Sequence, residues 1–136
     1  MRRGAVAAPA APIFRFSPAR RLSLGILLAD AAAKFGSREA FAPGLRYSEF
    51  LAAAHNVCDA LKRAGIAVDE PVHVRISNHP LDLAAYAGVW LAGGVVVPVH
   101  RSAPAGATAH VLTKTRARFE WDALAGAPLR PLAERA

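Results

Sequence analysis

Residues 71–99 read PVHVRISNHPLDLAAYAGVWLAGGVVVPV, and this stretch decides the fold. Val72-His73-Val74-Arg75-Ile76 alternates with the period of a strand, with Val72, Val74 and Ile76 on one face. Pro71 stands just before it, where a strand tolerates proline. From about Pro80 to Ala92 the chain is apolar nearly all round (Leu81, Leu83, Tyr86, Val89, Trp90, Leu91), which predicts a helix buried on several sides. Gly93-Gly94 ends that helix, and the β-branched run Val95 to Val99 follows as a second strand. A weaker helix is expected from about Pro104 to Thr115, with Val111 and Leu112 inward, and a third strand at about Ala117 to Trp121. Strand, helix, strand, helix, strand is a βαβαβ unit whose connections demand a parallel sheet with right-handed crossovers. The fold class expected is α/β, a partial parallel sheet with flanking helices.

Toward the N-terminus, Leu24, Leu27, Leu28, Ala31 and Phe35 fall at helical spacing and predict an amphipathic first helix over 23–35, closed by Gly36. Glu39–Pro43 and Leu45–Ser48 suit two short strands joined at the turn pair Pro43-Gly44. Phe50, Ala54, Val57, Cys58 and Leu61 make the apolar stripe of a second helix, with Glu49, Asn56, Asp59, Lys62 and Arg63 outward and Gly65 as a left-handed cap. Cys58 therefore reads as a core filler rather than a reactive thiol.

The 136 residues fit one compact domain, and 54% apolar content is the opposite of a disordered composition. A single cysteine excludes a disulfide scaffold and a structural zinc site. The net charge of +7 is unevenly placed. Arg2, Arg3, Arg15, Arg20 and Arg21 fall in the first 21 positions, which hold no acid, leaving 12 basic against 10 acidic groups in the other 115 residues. Residues 1–21, with Pro9, Pro12 and Pro18, are expected to be a mobile basic arm, 22–121 the folded part and 122–136 a Pro- and Ala-rich tail. Arg20-Arg21-Leu-Ser-Leu-Gly-Ile-Leu-Leu-Ala has a twin-arginine look, yet its apolar run is only about eight residues and Asp30 interrupts it. The uncharged Leu83–Val99 stretch is barely long enough to cross a bilayer and is broken by Gly93-Gly94. No membrane partner is expected, and the cytoplasm is the compartment these signals favour.

Most catalytic signatures fail. There is no glycine-rich phosphate loop, no Gly-x-Ser-x-Gly elbow and no serine with a lysine three residues on. His55, His73, His79, His100 and His110 show no metal-ligand spacing. His55 and His110 sit in predicted helices and His73 on the polar side of a strand, each an ordinary surface or edge residue on this reading. The carboxylates are scattered, with no pair placed for acid/base work. No catalytic or metal-binding residue is assigned. Ligands of parallel α/β sheets gather beyond the carboxyl ends of the strands, where two polar loops fall: Ser77-Asn78-His79 and His100-Arg101-Ser102. Asn78 precedes a proline-started helix and is expected to cap it. Arg101 offers a forked donor to phosphate or carboxylate.

Three stretches in order, LLADAAAKFGSREAF (27–41), GLRYSEF through HRSAP (44–104) and HVLTKTRARF (110–119), resemble the start of the adenylate-forming acyl-CoA synthetases, or AMP-binding enzymes. The Tyr47-Ser48-Glu49-Phe50 helix start, the Asp69-Glu70-Pro71-Val72 turn and the Gly93-Gly94-Val95-Val96-Val97-Pro98-Val99-His100 run carry the likeness. His100 stands where many members have Asn and Arg101 where many have Pro. The resemblance implies an α/β chain that is the N-terminal part of the large domain of an AMP-binding ligase. In some members the loop at His100, Arg101 and Ser102 approaches the nucleotide part of coenzyme A, so these three are the candidate cofactor-proximal residues. A complete member would form a thioester through an acyl-adenylate, using ATP, Mg²⁺ and CoA. The family's phosphate loop, its nucleotide contacts and its C-terminal lysine have no counterpart here, so no cofactor is assigned to this chain and activity alone is not expected. The expected partner is the remainder of such a ligase, or a second copy. Two other readings stay open: a small basic module whose arm meets nucleic acid, and a non-catalytic partner subunit. The lack of aromatics among the basic residues argues against base stacking, which leaves nucleic acid the less favoured partner.

Overall fold

A computed structural model describes residues 24–132. The basic arm expected at 1–21 and the last residues of the tail, 133–136, lie outside the described residues. The elements are α1 (Leu24–Phe35), β1 (Glu39–Phe41), β2 (Leu45–Arg46), α2 (Tyr47–Arg63), β3 (Pro71–Ile76), α3 (Pro80–Leu91), β4 (Val95–His100), α4 (Ala105–Thr115), β5 (Phe119–Trp121) and β6 (Leu129–Pro131). All three strands of the expected βαβαβ unit form, and β3 is parallel to both β4 and β5. The sheet order is β4-β3-β5-β6, so β3 is central and β4 and β5 flank it. The β3–α3–β4 and β4–α4–β5 connections cross the sheet in opposite directions, and right-handed crossovers put α3 and α4 on opposite faces.

The apolar side of the sheet forms the main core. Val72, Val74, Phe119 and Trp121 pack on Ala85 and Val89 of α3 and on Val57 and Leu61 of α2. A second cluster joins Phe50, Ala54, Ala84 and Ala87, with Phe41 of β1 and Leu28 of α1 against it. The α2–α3 crossing is close because of Gly88. A Cβ there would lie 2.3 Å from Val57 Cβ and 2.6 Å from the Ala54 carbonyl oxygen. Gly65 (φ +86°) follows α2 in the left-handed conformation its position requires. Cys58 is buried and unpaired, as its place on the apolar stripe implies. Among the described residues, no helix is long and apolar enough to cross a membrane.

Two expectations are corrected. His73 is not a surface or edge residue but has 0% exposure. Its strand lies between β4 and β5, and the Glu120 side chain of β5 bonds its Nδ1 from the same side, so alternation no longer means one wet side. Part of the stretch expected as tail is also ordered. Asp122 accepts a hydrogen bond from the Leu124 N–H (3.1 Å) through Oδ1, and its carbonyl accepts from Ala125 N–H (3.1 Å). This Asx-type reversal lets Leu129–Pro131 return antiparallel to β5.

Candidate functional site at the carboxyl ends of the strands

Ser77 follows β3, Arg101 follows β4 and Asp122 follows β5, so the three parallel strands end in polar residues at one rim of the sheet. The first turn of α3 faces the same rim. With Pro80 at the first helical position, the cap falls on the residue immediately before it. His79, not Asn78, is the N-cap: its Nδ1 accepts from the Leu81 N–H at 3.2 Å. The chain register around Pro80, rather than the side-chain preference of Asn, sets the position.

Asp82 lies in the first turn of α3, where the exposed N–H groups favour an anion. It is 1% exposed and is answered from two sides. Ser77 donates to Oδ2 from its backbone N–H (2.8 Å) and from its hydroxyl (3.0 Å). Arg101 grips both oxygens, Nη1 to Oδ2 at 2.7 Å and Nη2 to Oδ1 at 2.6 Å. The same guanidinium donates from Nε (3.2 Å) and Nη2 (2.9 Å) to Asp122 Oδ1, and from Nη1 (2.7 Å) to Ser77 Oγ. A guanidinium has five N–H donors, and all five are used within the chain. Burial pushes the Asp82 carboxyl up, but the bonds from Arg101 and Ser77 outweigh it and hold it below the usual carboxylate range. The paired carboxylates raise Arg101 further above an already high value.

Of the three candidate residues, Arg101 thus ties β3, β4, β5 and α3 together, while His100 and Ser102 stay exposed beside it. Ser102 donates its backbone N–H to His100 Nδ1 (3.2 Å), and its hydroxyl lies 2.6 Å from the same nitrogen. An accepting Nδ1 leaves the ring proton on Nε2, the nitrogen away from Ser102. The three residues are therefore adjacent in space as well as in sequence, one turned inward and two outward.

A second polar group lies alongside. Glu120 on β5 bonds His73 Nδ1 (2.9 Å) and Arg75 Nε (3.1 Å) through Oε2, and Arg130 Nη2 (2.7 Å) through Oε1. Burial pushes this carboxyl up, but His73, Arg75 and Arg130 together bring it below its ordinary value. A cleft of about 490 Å³ opens between Arg75, Arg101 and the β5–β6 hairpin. Asp82, Glu120 and Asp122 are the residues that sequence reasoning passed over. Signals existed: an acid in the first turn of an otherwise apolar helix, and one between Phe119 and Trp121. Among the described residues, no group of three or more His, Cys, Asp or Glu side chains is placed to hold a metal ion. The carboxylates are consumed by arginines instead, so this donor set does not fit Mg²⁺. With no glycine-rich loop in the sequence, it does not fit the ATP phosphates either.

Residues 28–123 match the family described as AMP-binding enzyme. No curated protein sequence matches the chain. Among solved structures, nonribosomal peptide synthetase FmoA3 with AMPPNP bound superimposes with a TM-score of 0.70 at 23% identity, covering 85% of this chain and 15% of that one. The N-terminal domain of FACL13 from Mycobacterium tuberculosis, with inhibitor bound, gives 0.68 at 21% identity, covering 74% and 26%. The N-terminal subdomain of Klebsiella oxytoca NpsA gives 0.66 at 16% identity, covering 78% and 29%. The chain thus spans 15 to 29% of the length of these structures, and the shared fold is that of their N-terminal region.

Proposed function

The chain belongs to the AMP-binding enzyme family, and from that premise we propose that it is the amino-terminal segment of an AMP-forming acid–CoA ligase, without ligase activity of its own. The family match over 28–123 carries the reading. Members of the family use ATP and Mg²⁺. Neither fits the donors described above, so no step of adenylation is placed on these residues. Adenylate formation depends on positioned donors that stabilise charge on a transferring phosphoryl group, and Arg101 at the strand ends, with all five donors committed to Ser77, Asp82 and Asp122, does not supply that geometry.

The CoA-ligase reading within the family follows the resemblance of residues 27–119 to the start of acyl-CoA synthetases. On this reading the loop stands close to the nucleotide part of CoA in the complete enzyme. Arg101 holds the loop against the strand ends, and His100 and Ser102 face outward. The partner is the rest of the ligase, and the compartment is the cytoplasm.

The test uses a complete ligase containing this segment. His100→Ala with Ser102→Ala, the outward pair of the loop, should raise the apparent KM for CoA while acid-dependent adenylate formation is unchanged. Equal losses in both half-reactions would refute the role of the loop. A coding frame that continues past Ala136 without reaching a glycine-rich loop ending in Pro-Lys would refute the ligase reading itself.

A further inference from the structure

We infer that the cleft bounded by β3, β5 and β6 is a binding site for a phosphate monoester dianion, held by the spare guanidinium N–H groups of Arg75 and Arg130. The inference stands on the cleft and goes beyond the ligase reading. Glu120 pairs in register with Arg130 of β6 on one side and with His73 of β3 on the other, two residues before Arg75. The two arginines therefore reach the same carboxylate from opposite strands. Arg75 spends only Nε on Glu120, and Arg130 only a donor on Nη2. Among the described residues nothing accepts from the remaining N–H groups, and both side chains line the cleft.

The charges are partitioned. Arg101 is faced by two carboxylates, Asp82 and Asp122, whereas Arg75 and Arg130 share one, Glu120. The positive surplus therefore sits at the Arg75–Arg130 end. Glu120 accepts three bonds, from His73, Arg75 and Arg130, and so orients both guanidiniums toward the cleft it lines. Ala125, Ala127 and Pro128 form the hairpin side of the cleft and bring no carboxylate to it. Two guanidinium forks suit an anion with three terminal oxygens and two charges better than a carboxylate, which one fork satisfies. At about 490 Å³ the cleft lies in the size range of small-molecule sites, with room for the group the phosphate is attached to.

The test is a titration of the isotopically labelled full chain with inorganic phosphate, methyl phosphate and acetate at constant ionic strength, followed by amide chemical shifts. Saturable shifts at Arg75, Glu120 and the 125–130 hairpin are expected with both phosphates and not with acetate. A weaker response to methyl phosphate than to inorganic phosphate would assign the site to the free ion and overturn the ester. Arg130→Ala, at an exposed side chain whose loss leaves Glu120 bonded to His73 and Arg75, should weaken binding about tenfold, the worth of one charge-assisted contact. Arg75→Lys keeps the charge but loses the fork and should also weaken it, whereas Arg63→Ala, exposed at the end of α2, should not. Unchanged affinity in Arg130→Ala, an equal response to acetate, or shifts confined to the arginines of residues 1–21 would overturn the inference.

Discussion

Replacing Arg101 with alanine removes five hydrogen bonds and leaves the buried Asp82 carboxylate with Ser77 as its remaining partner. Deleting one member of a buried ion pair costs about 3–5 kcal/mol, because the survivor stays desolvated and uncompensated. Ser77 still donates twice to Asp82, and Asp122, with 30% side-chain exposure, is easily rehydrated. The low end, about 3 kcal/mol, is the expected loss. For a domain of this size that corresponds to a fall in Tm of roughly 15 °C.

The pH dependence has a definite sign. In the parent chain Asp82 is held below its ordinary pKa, so its contribution is present above about pH 4 and is lost as pH falls through the lowered folded value. Without Arg101, burial is opposed only by Ser77, and the folded pKa moves up. The variant is then penalised most at neutral pH, and its deficit shrinks on acidification as Asp82 takes up a proton. Urea and thermal unfolding, followed by the fluorescence of Trp90 and Trp121, read both effects. Arg101→Ala with Asp82→Asn should recover at least half of the loss, since the amide needs no counter-charge. A deficit below about 1 kcal/mol, or one that stays constant from about pH 7 to about pH 5, would refute the reasoning.

Gly88→Ala should destabilise the chain by about 2–3 kcal/mol, because overpacking against Val57 and the Ala54 carbonyl outweighs the roughly 1 kcal/mol gain in helix propensity. Adding Val57→Ala should restore part of it in the same unfolding assay, and a neutral or stabilised Gly88→Ala would contradict the close crossing. Burial pushes the Cys58 thiol up, so it should react with a disulfide reagent only on unfolding, at a rate that tracks denaturant. Rapid stoichiometric labelling of the folded chain would contradict its place in the core.

The elements that organise the core were legible because each carries its own period. The Phe50-to-Leu61 stripe, the alternation at Val72–Ile76 and the Gly93-Gly94 stop each need only neighbouring residues, and α2, β3, α3 and β4 formed where expected. What was not legible depends on strand order. His73 looked polar-facing because alternation predicts one wet face, and only the central place of β3 between β4 and β5 buries it. Arg101 looked like a donor awaiting an anion because its acceptors lie 19 and 21 residues away in the chain. The parallel crossovers bring Asp82 and Asp122 to it, a juxtaposition that no local spacing records. The β6 strand was missed for a similar reason: three residues ending in proline carry almost no period, and the Asp122 turn that returns them is set by one side-chain bond.

On the function proposed above, the chain is the N-terminal segment of an adenylate-forming ligase and does not carry out the first half-reaction on its own. Acid-dependent exchange of labelled pyrophosphate into ATP tests it most directly, with the purified chain, Mg²⁺ and a panel of aliphatic and aromatic acids. Scattered arginines bind the ground and transition states about equally and do not accelerate transfer. Exchange should therefore stay at the level of a no-protein control for every acid. Acid-dependent exchange above that control, persisting after contaminating ligases are removed, would contradict the claim and require a catalytic site within these 136 residues.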